Sequence, residues 1–473
     1  MTGSHENRGT ADTIRALARV VLAVKSEAVS PGAIHQAQLL LLDTIGCGLA
    51  GAHEAVARAV ADVATGDGGK HECALIGRAE KSHLLNAVLA NGVAIRVLDL
   101  NDYLIDESHG QPEAGGHPSD NIPVALAVGA ARECSGADVL ASIVAGYEIY
   151  ARLQRLMNRG GAWDGVTVSG LVAPAMAGRL MGLDEERLAH ALALGGTRSA
   201  TPSIVRSGDI SSAKSIANAL VAQSGVQAAL FAERGLTGPL ALLDDARGLR
   251  ALFANADLAL LTEPIPAESA IFRAHVKAYP CINTGQSAVA AALELHAMLK
   301  GDTKTLTRIE VAMADYPVVK RQQEDEGRIH PRSREAADHS FPFLVAVTLL
   351  DGAFGLAQFE GERWREPRVT SLMAKIVMNR DAAWNARAPG AYPCTIRALR
   401  EDGREFVAES PYPPGFSQCG LDAEHVIEKF HAITTPVLNR AARERIVDAV
   451  MEFHHSRSTA TLDAAIAIEG TFT

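Results

Sequence analysis

The residues able to do chemistry in this 473-residue chain gather in four polar stretches between apolar runs. The first, Asn91 to Ala131, reads NGVAIRVLDLNDYLIDESHGQPEAGGHPSDNIPVALAVGAA and carries Asp99, Asp102, His117 and Asp120 among other acids and one further histidine. The second, Ala162 to Gly165, offers Asp164. The third, TRSATPSIVRSGDISS followed by Lys214, offers Arg198, Arg206 and Asp209. The fourth, HVKAYPCINTGQSA, places Lys277 ahead of Tyr279-Pro280. Several cations beside one histidine and a few acids suit a multiply charged carboxylate with acid–base groups at hand. Each residue alone has a plainer reading. A lone lysine at a helix start is usually solvated surface, and a lone aspartate before a turn is usually a cap. Only the fold can bring them together.

His117 follows Gly115-Gly116 and precedes Pro118. The glycines allow close backbone approach, and proline suits the first position of a helix. The spacing therefore predicts His117 just before a helix N-terminus, where the dipole favours an anion. The competing reading is a capped helix start with a structural histidine.

Elements that could hold these loops are legible on both sides. Pro31 to Ala52 is apolar nearly all round and predicts a buried helix, with Asp43 a lone acid that needs a partner or a helix-end role. Helices are also predicted over 82–98, 137–158, 166–181, 184–193 and 214–234, with Asp184 as an N-cap. The chain to about Ala270 thus reads as all-α. Beyond Ile271, alternation predicts strands at 307–314, 376–378 and 394–400, then a turn at Asp402-Gly403 and a strand over 404–409. The charge run Arg321 to Arg328 reads as a solvated loop. From Asp422 the pattern is helical again. The expectation is a mostly α fold. Residues 1–270 and 414–473 form a large helical domain, and 271–413 an inserted α+β lid.

Composition narrows the function. A net charge of −10 argues against nucleic acid as the main partner, without excluding an anionic substrate. No uninterrupted apolar run reads as a membrane span, and the polar start MTGSHENRGTADT lacks a signal-peptide core. Six cysteines without CxxC spacing suggest free thiols, a cytoplasmic setting and no metal cluster.

The sequence resembles the MmgE/PrpD family over nearly its whole length. The markers are LLDTIGCGLAG (Leu41 to Gly51), NGVAIRVLDLND (Asn91 to Asp102), GGHPSDNIPVALAV (Gly115 to Val128), AKSIANALVAQSGVQAALFAERGLTG (Ala213 to Gly238), KAYPC (Lys277 to Cys281) and ADHSFPFLVAVTLLDG (Ala337 to Gly352). The pairing of LDLND with GHPSDN is most similar to the 2-methylcitrate dehydratase branch. The resemblance implies a helical domain with an α+β lid, a homodimer without metal or organic cofactor, and an active site between the domains. It assigns Asp99 and Asp102 to the acids of the family's LDxxD motif and His117 to the HPS histidine. Lys214 matches the lysine before the paired-alanine helix, and Lys277 that of the KxYPC motif.

The departures concern specificity. Tyr103 stands where the family usually has threonine, and Asp164 where many members have histidine. Ala217 and Gln286 also replace histidines, and the loop Leu104 to Gly116 reads as enlarged. These absences argue against cis-aconitate decarboxylation. The expected catalytic set is His117, Asp99, Lys214 and Lys277. The expected substrate contacts are Asp102, Tyr103, Asp164, Arg206 and Gln286. The expected reaction is dehydration of a small polycarboxylate such as 2-methylcitrate. An epimerase of an amino- or imino-dicarboxylate, a decarboxylase and a non-catalytic binding protein are the alternatives.

Overall fold

The computed structural model describes residues 12–66, 68–106, 113–157, 162–253, 257–387, 391–415 and 420–468. Cys419, Glu107 and His109 lie outside them.

The helix Pro31–Gly51 begins as its sequence dictates. Ser30 Oγ accepts from the Ala33 N–H at 3.2 Å, and Pro31 fills the first position. Its apolarity on every side is matched by burial along almost its full length. Helix Leu84–Arg96 packs against it and against helix Ala213–Glu233. Small residues set these distances. A Cβ on Gly51 would fall 2.0 Å from the Ala94 carbonyl oxygen, and one on Gly92 2.8 Å from Ala219 Cβ. Helices Gly136–Leu156, Ser169–Leu180 and Glu185–Gly196 follow, the last capped by Asp184 accepting from the Arg187 N–H at 2.8 Å. Helix Ala213–Glu233 has the length and hydropathy of a membrane-crossing segment, unlike the sequence expectation. It packs against the helices Ser169–Leu180, Glu185–Gly196 and Leu84–Arg96.

The segment before Ala270 is not purely helical. Tyr103–Asp106 pairs antiparallel with Glu113–Gly116 on one side and with Ala274–His275 on the other. A short ladder joins Cys73–Ala74 to Lys81–Ser82. These strands are two to four residues long, too short to leave a readable alternation.

The later sheet does follow its alternation. Its order is Ile376–Arg380, Leu306–Met313, Cys394–Arg400, Glu405–Ser410, parallel between the first two and antiparallel elsewhere. Gly403 turns the hairpin at φ 84°, which an L side chain resists. Helices Gln286–Leu299 and Phe341–Asp351 pack together, the first also lying on the hairpin.

Two large apolar cores result. One draws on Ile14 through Val276 and again on Val426 through Ile466. The other draws on Cys281 through Ala408. The change of core falls between Val276 and Cys281, the interval that holds Lys277.

Two sequence readings need correction. Asp43 lies mid-helix, not at a helix end, and its partner is Lys429 from helix Ala423–Thr434. The charge run 321–328 is not simply solvated. It forms the helices Pro317–Glu324 and Glu326–Ile329, and it buries Arg328. Arg328 Nη1 donates to the His339 carbonyl at 2.9 Å and Nη2 to the Arg206 carbonyl at 3.2 Å. Burial, with Arg321 nearby, pushes this guanidinium down to about 10.

Candidate active site

Helix Leu84–Arg96 ends in a turn that carries Asp99 in the left-handed region, at φ 51°. That conformation is uncommon for any residue but glycine, and it aims a fully buried carboxylate at a ring of cations. Oδ1 of Asp99 accepts from Arg96 Nη1 at 2.7 Å and from Lys277 Nζ. Oδ2 lies 2.9 Å from Lys214 Nζ, off the angle of a good hydrogen bond. Lys277 Nζ also donates to the Asp99 carbonyl at 2.8 Å. Burial alone would raise the Asp99 pKa; Arg96, Lys214 and Lys277 together hold it well below the carboxylate range. Asp99 is therefore an anion that fixes cations, not a base.

The second core contributes Asp338 and His339, from the turn before helix Phe341–Asp351. Lys214 Nζ donates to both Asp338 oxygens, at 3.1 and 3.0 Å, and lies 3.3 Å from His339 Nδ1. His339 Nδ1 in turn meets Asp338 Oδ1. Burial, with Lys214 adding to it, drops the His339 pKa to about 3. Asp99, Asp338 and His339 offer three ligand atoms within 4.8 Å of one another. The Lys214 ammonium already stands among them and would oppose a metal ion there.

His117 sits where its sequence placed it, ahead of the turn Pro118–Asn121 and helix Ile122–Ala131. Its N–H donates to Tyr150 Oη at 3.1 Å. Its Nδ1 meets the Asp102 carbonyl, which can only accept, so the proton resides on Nδ1. Nε2 is left as a lone pair, 3.9 Å from Asp99 Oδ1. Burial, reinforced by Arg96 and Lys277, holds the pKa well below 6.5, so the ring is neutral near pH 7.

The structure thus brings Asp99, His117, Lys214 and Lys277 together. It gives the other expected residues different surroundings. Asp102 reaches the cluster only through its backbone. Its carboxyl accepts from Ser119 N–H and Oγ and from Tyr147 Oη at 2.8 Å. Tyr103 is buried with its ring against His275, centroids 5.4 Å apart. Gln286 clamps the turn after Lys277: Oε1 accepts from the Ala278 and Tyr279 N–H groups, and Nε2 donates to the Tyr279 carbonyl. Asp164 caps the Val166 N–H and accepts from Arg206 Nε at 2.6 Å. Among the described residues the two terminal amino groups of Arg206 take no partner. Arg206 is also close enough for its charge to act on Asp120 and Asp99.

Arg96, Asp338 and His339 were not singled out from sequence. Arg96 stands one helical turn before Asp99, and Asp338-His339 lie inside ADHSFPF, so both signals were present. Asp120 is also part of the cluster. It accepts from Asn101 Nδ2 at 2.8 Å and lies 3.6 Å from Arg96 Nε.

Asp102 makes a stability prediction. Burial pushes its carboxyl from 3.8 up to about 7, against the hydrogen bonds from Ser119 and Tyr147. A raised carboxyl binds its proton more tightly when folded, so its stability contribution is present below pH 4 and lost as pH rises through 7. Relative to Asp102→Asn, the parent should lose on the order of 4 kcal/mol of unfolding free energy across that window. Parallel urea curves from pH 4 to 8 check this; a constant difference would refute it.

The MmgE/PrpD N-terminal domain matches residues 15–260, and the MmgE/PrpD C-terminal domain matches residues 279–453. A cis-aconitate decarboxylase of Mus musculus is 25% identical over 461 residues, covering 92% of this chain and 89% of its own. A 2-methylcitrate dehydratase of Salmonella typhimurium is 26% identical over 457 residues, covering 90% and 91%. A cis-aconitate decarboxylase-like protein of Aspergillus oryzae is 23% identical, covering 95% and 96%.

Proposed function

The chain belongs to the MmgE/PrpD family, and from that membership we propose that it is a hydro-lyase acting on a small polycarboxylate of the 2-methylcitrate type, without a cofactor. The observation that carries the proposal is the state of His117. It is a neutral imidazole with its proton fixed on Nδ1 and an Nε2 that no described residue hydrogen-bonds, set beside buried lysines.

Removal of a proton α to a carboxylate leaves enediolate charge that fixed cations stabilise. Nε2 of His117 takes that proton. The same surroundings that depress its pKa make the resulting imidazolium a strong acid, ready to protonate the departing hydroxyl. Both steps of a dehydration are thus within reach of one ring.

The two lysines differ. An ammonium has three donors. Lys214 donates to both Asp338 oxygens, with Asp99 Oδ2 2.9 Å and His339 Nδ1 3.3 Å away, so its surroundings are already filled. Lys277 gives two donors to Asp99 and, among the described residues, keeps one. Lys277 therefore meets the carboxylate at the reacting carbon. Arg206, held at Nε by Asp164, offers its terminal amino groups to a second carboxylate, the bidentate geometry in which guanidinium is strongest. Residues 271–413 act as the lid that brings Asp338 and His339 to Lys214, and the working form is a homodimer.

Proton NMR in D₂O with 2-methylcitrate, citrate, cis-aconitate and iminodisuccinate tests the reading. From 2-methylcitrate the expected result is an alkene, seen as replacement of the methyl doublet by an allylic methyl singlet when water leaves toward the methyl-bearing carbon, or as a vinyl signal when it leaves toward the CH₂ arm. Deuterium exchange without an alkene would replace dehydration by epimerisation, and loss of CO₂ from cis-aconitate would replace it by decarboxylation. No change in any of the four would overturn it.

A further inference from the structure

The turn that carries Asp99 is gripped by cations at its backbone as well as at its carboxylate. Arg334 Nη1 donates to the Val97 carbonyl at 2.7 Å. Lys277 Nζ donates to the Asp99 carbonyl and Lys429 Nζ to the Leu100 carbonyl, each at 2.8 Å. These donors come from remote parts of the chain and converge on the C-terminal end of one helix, where its dipole favours positive charge. Arg334 also lies over the Phe359 ring, and Lys277 also holds the Asp99 carboxylate.

Lys429 is different. Its other partner is Asp43, in the middle of the apolar helix Pro31–Gly51. Both side chains are buried. Apart from this contact, neither Asp43 oxygen has a hydrogen-bond partner among the described residues. Burial pushes the Asp43 carboxyl up, and Lys429 opposes that shift. A buried pair of this kind is weak evidence of stabilisation, because desolvation offsets much of the attraction. Its placement therefore calls for another explanation, and the Leu100 carbonyl supplies one.

We infer that Lys429, held in place by Asp43, is a positioning residue that locks the Leu100 carbonyl and so keeps Asp99 in its left-handed conformation. The argument is conformational. A non-glycine residue at φ 51° persists only where its surroundings over-determine it. With the next carbonyl released, the turn relaxes toward negative φ, and the Asp99 carboxylate swings away from Lys277 and Lys214. Lys429 touches no reacting atom and acts only through this backbone. The inference rests on the reading of Asp99 as part of the active site.

The test is the pair variant Asp43→Leu/Lys429→Met, which removes both charges and leaves no buried ion unpaired. The expected result is a cooperative melting transition like the parent's, and a crystal structure with Asp99 at negative φ and Lys277 off its carboxylate. Turnover of 2-methylcitrate should show kcat lower by roughly 100-fold with KM little changed, the signature of a misplaced group. Asp99 still near its parent φ, with the Lys277 contact intact, would overturn the inference. If the first variant does not fold, Asp43→Asn/Lys429→Met, with a smaller change of volume, is read in the same way. If the parent itself does not turn over 2-methylcitrate, the proposed reaction fails, while the Asp99 backbone in the variant still decides this inference.

Discussion

His117→Ala is expected to lower kcat by a factor of roughly 10²–10⁴, the usual contribution of a general acid–base group, while leaving the melting temperature close to the parent's. The fold should survive because the structural contact at this position is made by backbone. The His117 N–H donates to Tyr150 Oη whatever the side chain. The imidazole itself makes one hydrogen bond, to the Asp102 carbonyl, at the edge of the buried cluster. Turnover should fall because His117 Nε2 faces Asp99 and the cations around it as a neutral lone pair; His339 is the other neutral imidazole of the cluster. Asp99 is held ionised by three cations, and His339 is tied to Asp338. The pH profile adds a second check. With its pKa held well below 6.5 by burial, Arg96 and Lys277, His117 stays a base through the neutral range. The parent's kcat/KM should therefore show no acid limb near pH 6.5 and should fall only at lower pH. Near-normal turnover in the alanine variant, or a limb centred at 6.5, would remove His117 from the role.

The way this site is built explains what could be read from the sequence. Long helices were legible because their apolar periodicity and caps are local, as with Pro31 at the start of the Asp43 helix and Asp184 before helix Glu185–Gly196. The sheet strands from Leu306 onward were legible for the same reason, since alternation is local. The Tyr103–Asp106 strand was not. Its pairing with Ala274–His275 joins segments far apart in sequence. The candidate site shows the same division. Asp99, His117, Lys214 and Lys277 stood out as charged groups in otherwise apolar surroundings, and their resemblance to family motifs reinforced them. What each is committed to could not be read. Gln286 looks like a substrate contact in a polar loop, yet its amide serves the backbone at Ala278 and Tyr279. Asp164 looks like a substrate contact, yet it holds Arg206. Arg96 and the Asp338-His339 pair were hidden because burial turns an ordinary helix-end arginine and a helix-start acid into members of the candidate site. Burial is a property of the whole fold.

Lys277→Ala is expected to weaken both the fold and substrate binding, and the two losses can be separated. Asp99 is fully buried, and Lys277 donates to its carboxylate and to its backbone carbonyl. Removing one partner of a buried pair commonly costs about 3–5 kcal/mol, and Arg96 and Lys214 remain, so a loss near 3 kcal/mol is expected. The sign of its pH dependence follows from Asp99. Its depressed pKa adds stability above pH 3.8 that is lost as pH falls, so parent and variant should differ most near neutrality and converge in acid. Asp99→Asn/Lys277→Met removes both charges and should recover most of the stability. It should not recover function. The third donor of Lys277 has no replacement in that double variant, so KM for 2-methylcitrate should stay raised by about 10-fold or more, the worth of a charge-assisted hydrogen bond. A double variant that recovers stability and also binds substrate like the parent would make Lys277 a counter-ion for Asp99 and nothing more. Carboxylate binding would then fall to Arg206.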